Sequence, residues 1–209
     1  MKYSSPWWHR ALRCLALSCL ALSMAGCANV FSAQLTRYQQ WPEQTAGALY
    51  WIQPDAAQQN NLQFQTFSDA VRAALGPTGL VEASSASQAR FVVHVEYGAE
   101  RSREWRQQMV DPYFYPGFVG PGFAYRQPWG GWGYGPVVES VPVIVTRLRL
   151  SVQIDDRSQR GKEVYRASAE TIGPEGRLGA AMPYLARAAF DRFPGMNGQV
   201  IEIRYPLPR

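Results

Sequence analysis

The chain has 209 residues, of which 46% are hydrophobic and 18% charged, a globular composition with enough apolar residues for one buried core. Its formal charge of +5 overstates the basicity of the folded part, because Lys2, Arg10 and Arg13 and no acidic residue fall within the first 26 positions, leaving +2 beyond them. That balance offers no concentrated basic face, so a nucleic-acid partner is not expected.

Lys2, Arg10 and Arg13 precede CLALSCLALS (residues 14–23), an apolar run of the length of a signal-peptide core. A membrane-spanning helix needs roughly 20 apolar residues, so this run is too short to be one. It ends in Met24-Ala25-Gly26-Cys27, which resembles the lipobox of bacterial lipoproteins. That resemblance implies cleavage before Cys27, a diacylglyceryl group on its thiol and an acylated new amino terminus. Two or more acyl chains, at about 0.8 kcal/mol per buried CH₂, anchor a protein stably. The expectation is a signal peptide over residues 1–26 and a lipid-anchored cell-envelope protein facing the periplasm. Ala28 stands where an aspartate resembles an inner-membrane retention signal, which favours the outer membrane. Cys14 and Cys19 leave with the signal peptide and Cys27 carries the lipid, so no thiol remains for a disulfide, a nucleophile or a metal.

Residues 27–46, polar and rich in Gln, read as a tether or an edge strand around residues 31–38. ALYWI (residues 48–52), closed by Pro54, reads as a strand. Thr66 and Asp69 form a T-x-x-D start for a helix whose apolar stripe is Phe67, Val71, Ala74 and Leu75, with Gly76-Pro77 as its stop. In FVVHVEYG (residues 91–98), Phe91, Val93, Val95 and Tyr97 share one strand face and Val92, His94 and Glu96 the other.

DPYFYPGFVGPGFAYRQPWGGWGYGP (residues 111–136) follows, with nine aromatic residues, seven Gly and five Pro among 26. Its prolines remove donors and its glycines add backbone freedom, so no regular element is expected within it. Over residues 143–155, Ile144, Leu148, Leu150, Val152 and Ile154 alternate with Arg147, Arg149, Ser151 and Gln153, a half-buried antiparallel strand. DRSQRG (residues 156–161) turns the chain back into KEVYRASAETI (residues 162–172), making a hairpin. A second helix is expected over residues 183–193, with Pro183 in its first turn and Met182, Leu185, Ala189 and Phe193 inward. QVIEIRY (residues 199–205) closes the chain as a strand.

This order predicts an α+β, two-layer domain over residues 47–205: a mainly antiparallel β-sheet covered on one face by two helices. The succession of lipobox, GALYWIQP, a helix ending in Leu75-Gly76, ARFVVHVEYG, the aromatic insert, Asp155-Asp156, KEVYRASAE and RFPG resembles the domain of unknown function 4136 family of bacterial envelope lipoproteins. Ala89-Arg90 stands where that family carries Ala-Asp, and Tyr165 where Trp is common. The resemblance implies location and fold; the family has no agreed activity.

The sequence favours no catalysis and no cofactor. Beyond the signal peptide His94 is the one histidine, so a multi-histidine metal site is excluded and a Ser-His-Asp arrangement has a single candidate base. His94 with Glu96 reads as a strand histidine beside a carboxylate. Asp155 and Asp156, adjacent on a strand, point to opposite faces and do not converge as an acid/base pair; their position before a turn accounts for them. Gly130-Gly131-Trp132-Gly133 lacks the lysine of a phosphate loop.

The exceptional chemical surface is therefore the insert, at the tip of a long hairpin between strands ending near Trp105 and beginning near Pro142. Its rings, Tyr113, Phe114, Tyr115, Phe118, Phe123, Tyr125, Trp129, Trp132 and Tyr134, form the candidate binding surface. Three readings stand: a cap packed on the sheet, a contact surface for an envelope protein or membrane face, and glycan recognition by ring stacking, for example on peptidoglycan. The functional expectation is a non-catalytic structural or binding module, with peptidoglycan or carbohydrate binding through the insert as the alternative.

Overall fold

The computed structural model describes residues 30–110, 125–126, 132–133 and 137–207. In chain order the elements are β1 (Val30–Gln39), β2 (Leu49–Ile52), α1 (Leu62–Leu75), β3 (Val81–Glu82), β4 (Phe91–Val110), β5 (Tyr125–Arg126), β6 (Trp132–Gly133), β7 (Val137–Asp156), β8 (Lys162–Ile172), α2 (Leu178–Ala189) and β9 (Gln199–Pro206). Residues 33–203 form one compact unit; residues 30–32 and 204–207, the outer ends of β1 and β9, belong to a second.

The sheet runs β3-β2-β4-β7-β8-β1-β9, with β5 and β6 pairing separately. β2 is parallel to both β3 and β4, whereas β4 with β7, β7 with β8 and β8 with β1 are antiparallel. The expected α+β domain with a mainly antiparallel sheet under two helices is thus corrected to a mostly-β fold built on a mixed seven-stranded sheet. The cause was present in the order of elements. A strand, then a helix, then a strand in one sheet is a crossover, and crossovers join parallel strands. The helical layer also differs: α2 packs on β7 and β8, while α1 packs mainly against α2 and meets β4 where Phe67 stands edge-on to Tyr97 at 4.6 Å.

Several local expectations shift for physical reasons. Helix α1 begins four residues before Thr66: the side chain of Asn61 accepts from the amides of Gln63 and Phe64, and the Thr66 hydroxyl donates back to the Leu62 carbonyl. Helix α2 begins at Leu178, which places Pro183 in its interior. The ring is tolerated there because Pro183 is exposed, so the carbonyl it cannot serve faces solvent. Of the segment read as a tether or edge strand, Val30–Gln39 form β1, with β8 and β9 as neighbours.

The core forms where the inward faces of β4, β7 and β8 meet the helices. Phe91, Val93, Val95, Leu148, Leu150, Val152 and Ile154 are almost wholly inaccessible, as are Val71, Leu75, Met182 and Leu185. α2 comes close to the sheet because both surfaces are small-sided, Ala167 and Ala169 on β8 against Ala186, Ala188 and Ala189. A register shift between Ile154 and Asp155 leaves both Val164 and Tyr165 of β8 buried.

Two buried donors fasten the far end of α2, where a helix leaves carbonyls unpaired. The Tyr165 hydroxyl donates to the Ala189 carbonyl, and the Arg37 guanidinium, 4% exposed, to that of Asp191. Burial pushes the Tyr165 hydroxyl up to about 12, so it remains a donor. Gly195 makes room for Arg37: its φ of +69° favours glycine, and a Cβ would lie 1.5 Å from an Arg37 guanidinium nitrogen. Trp41 stacks on Phe91 at 4.9 Å and meets Phe193 edge-on at 4.6 Å, completing the packing around this end.

The turn at 156–161 rests on Asp156, which is wholly buried. Burial opposes its ionisation. Arg90, however, donates from Nη2 at 2.9 Å, the amide and hydroxyl of Ser158 at 2.9 and 2.7 Å, and Gln159 at 3.2 Å, and together they lower the carboxyl to about 2.

Two outcomes follow. A folded-state value below the ordinary carboxylate range stabilises the fold above about pH 4 and ceases to do so as pH falls toward 2. Asp156→Asn should therefore cost about 2 kcal/mol at pH 7, a deficit that narrows between pH 4 and 2 in urea titrations. Gly195→Ala should cost more than about 2 kcal/mol by the same measurement, because the methyl displaces a buried cation and the backbone is left-handed.

Candidate functional site

β4 and β7 pair without interruption from Phe91 opposite Asp156 to Val110 opposite Val137. Their flanking strands are shorter: β2 reaches only Val93 of β4, and β8 ends with Ile172 opposite Arg147. Residues 101–110 and 137–146 therefore extend as a two-stranded arm, and the insert joins its two ends. The expected hairpin is thus longer than the sequence boundaries near Trp105 and Pro142.

Directly opposed residues of an antiparallel pair share a face. One face of the arm carries Arg103 opposite Ile144, Trp105 opposite Pro142, Gln107 opposite Ser140 and Met109 opposite Val138. It continues the core-facing side of the sheet but leaves the helices behind: Trp105 is 68% exposed, Met109 73%, Val138 55% and Ile144 71%. Ile144 was expected to face inward and does not. The next residue, Val145, is buried instead. On that opposite face Arg147 donates to Ser102, the cross-strand partner of Val145, at 2.7 Å and to Glu104.

The candidate rings Tyr113, Phe114, Tyr115, Phe118, Phe123, Trp129 and Tyr134, and the lipidation candidate Cys27, lie outside the described residues. Tyr125 and Trp132 lie on β5 and β6, where Tyr125 pairs with Gly133 and Arg126 with Trp132. Sequence reading missed Met109, Val138 and the exposure of Trp105 and Ile144. A signal existed in REWRQQMV (residues 103–110), whose Trp105 and Met109 fall on one strand face four positions apart.

The polar face of the sheet holds a cross-strand network. His94 Nε2 stands 3.4 Å from Asp155, which accepts from Gln153 at 2.9 Å; Gln153 accepts from Arg166, which also bonds Glu163. The partner of His94 is therefore Asp155 rather than Glu96. Asp155 and Asp156 face opposite sides, one half-exposed in this network and one buried in the turn, so the structure keeps them apart. An open cleft of 370 Å³ near β1 and β8 is lined by residues that bond one another, Lys162 to Gln40 and the Gln39 amide to Asn197. Among the described residues no group of three or more His, Cys, Asp or Glu could hold a metal ion, and no helix is long and apolar enough to cross a membrane.

These features define a mostly-β domain with one projecting hairpin. The chain belongs to the family described as a domain of unknown function (DUF4136), whose model matches residues 34–195. Among curated proteins none matches significantly. Of the solved structures, a PDZ domain protein from Parabacteroides distasonis is similar over 90% of this chain at 10% identity and a TM-score of 0.54; the match covers 42% of that longer protein. A PelC dodecamer from Paraburkholderia phytofirmans matches over 76% of this chain and 94% of its own at 12% identity and a TM-score of 0.38. A DUF4136 family protein from Bacteroides thetaiotaomicron matches over 77% and 91% at 12% identity and a TM-score of 0.30. At 10% identity the likeness to the first of these concerns fold alone.

The half-exposed setting of His94 leads to a stability expectation. His94→Ala should change unfolding free energy by less than about 0.5 kcal/mol in thermal or urea melts, as for surface sites generally.

Proposed function

We propose that this protein is a non-catalytic, lipid-anchored lipoprotein of the cell envelope, held at the outer membrane through Cys27 with its domain facing the periplasm, and that it acts as a structural or binding module. The observation that carries this reading is the β4–β7 arm. It is an unbroken ladder whose two ends the aromatic insert joins, and it holds Trp105, Met109, Val138 and Ile144 uncovered on one face. Single exposed apolar side chains are ordinary on a soluble surface; four on one face of a projecting ribbon mark a contact surface. The lipobox-like Met24-Ala25-Gly26-Cys27 supports the anchor, since the chain folds into β1 only three positions after Cys27.

Fractionation of cells tests the anchor. The wild-type chain should partition with the outer membrane and carry a mass increment of diacylglycerol plus an acyl chain. Cys27→Ala should lose both and shift to the soluble periplasmic fraction. Membrane retention of Cys27→Ala without a lipid increment would refute the anchor.

A further inference from the structure

Gln34 of β1 and the arm lie toward the same end of the sheet. β1 runs antiparallel to β8 with Gln34 opposite Glu170, and Ile172 of β8 lies opposite Arg147 of β7. The chain therefore enters the sheet beside the end of β8 from which residues 101–110 and 137–146 project. Cys27 precedes Gln34 by seven positions, a stretch that spans at most about 25 Å. Ten strand residues reach roughly 30 Å. A lipid on Cys27 thus holds this end of the domain within the arm's own length of a bilayer.

The chemistry of the exposed face fits that surface. Trp105 and the aliphatic groups Met109, Val138 and Ile144 lie on one side, and the exposed Arg103, opposite Ile144, shares their face. Tryptophan prefers the headgroup boundary of a bilayer, and a guanidinium beside apolar side chains reaches phosphate while its stem stays in the apolar layer. The other face sets Glu104 opposite Val143, Arg106 opposite Val141 and Gln108 opposite Glu139; its two valines are only half-exposed, and its fully exposed side chains, Arg106, Gln108 and Glu139, are polar. Register therefore gathers the exposed apolar side chains of the ribbon on one face.

Resting on the anchored reading above, we propose that the Trp105, Met109, Val138 and Ile144 face of the β4–β7 arm is a membrane-docking surface, lying in the interfacial layer of the bilayer that holds the lipid of Cys27. The arm then fixes the orientation of the domain, with the lipid and the ribbon as two points of attachment. The second attachment is effectively intramolecular, so a modest intrinsic affinity suffices.

Nitroxide labels at Met109→Cys and Gln108→Cys test this in the full chain, purified from membranes and reconstituted into phosphatidylethanolamine/phosphatidylglycerol vesicles. The two positions are neighbours on one strand and differ only in face. Ascorbate, confined to water, should reduce the label at 109 at least about fivefold more slowly than that at 108. Mass spectrometry of the same preparation reports the lipid on Cys27. Equal reduction rates with the lipid present overturn the docking surface and leave the anchor intact; no lipid overturns the anchor. Protection at 109 that persists without vesicles, in Cys27→Ala protein sedimenting at twice the monomer mass, also overturns the proposal, with a second copy as the occupant. A Trp105→Ser, Met109→Ser variant should abolish the difference between faces in an arm side-chain pair kept for labelling, Val138→Cys against Glu139→Cys.

Discussion

The twenty-residue ladder between β4 and β7 is the constraint on which the rest of the structure hangs. Its sheet end, Phe91 opposite Asp156, sets the inward rows of Val93, Val95, Val152 and Ile154 against the helices. Among the described residues its other end has no neighbouring strand, and the insert joins its two ends. One register therefore places the core and the exposed face: a slip of one residue would turn both rows over, moving buried valines to water and Trp105 to the polar side. Asp156 pins that register at the turn into β8, where Arg90, just before β4, holds its carboxylate.

A second fastening keeps the helical layer in place. Tyr165 of β8 donates to the Ala189 carbonyl at the far end of α2 and Arg37 of β1 to the Asp191 carbonyl just beyond it, and Gly195 leaves the space that Arg37 occupies. A buried cation held by a carbonyl is costly to disturb, because removing its partner leaves a charge in an apolar setting. The RFPG stretch (residues 192–195), a family marker in the sequence, thus has a packing reason in this fold.

How much of this was legible in the sequence depended on whether a pattern was local. The alternation in β7 from Leu148 to Ile154, the hairpin into β8 and the separation of Asp155 from Asp156 followed from period-two patterning and turn chemistry. The mixed sheet did not, although β2-α1-β4 spelled a crossover, because strand pairing is set by contacts far apart in the chain. Ile144 misled for a related reason: alternation says which residues share a face but not where the covering helices stop. Pro183 misled because a proline is tolerated inside a helix when its side faces water. The rings of the insert lie beyond what the described residues place, whereas the ribbon beneath them is defined residue by residue.

The central claim is that the arm meets its partner through one face only. Photocrosslinking in intact cells, from benzophenone side chains placed singly at Trp105 and at Arg106, tests it most directly. The account predicts lipid adducts from position 105 and few or none from 106. Equal yields from both positions, or adducts from 106 alone, would contradict it.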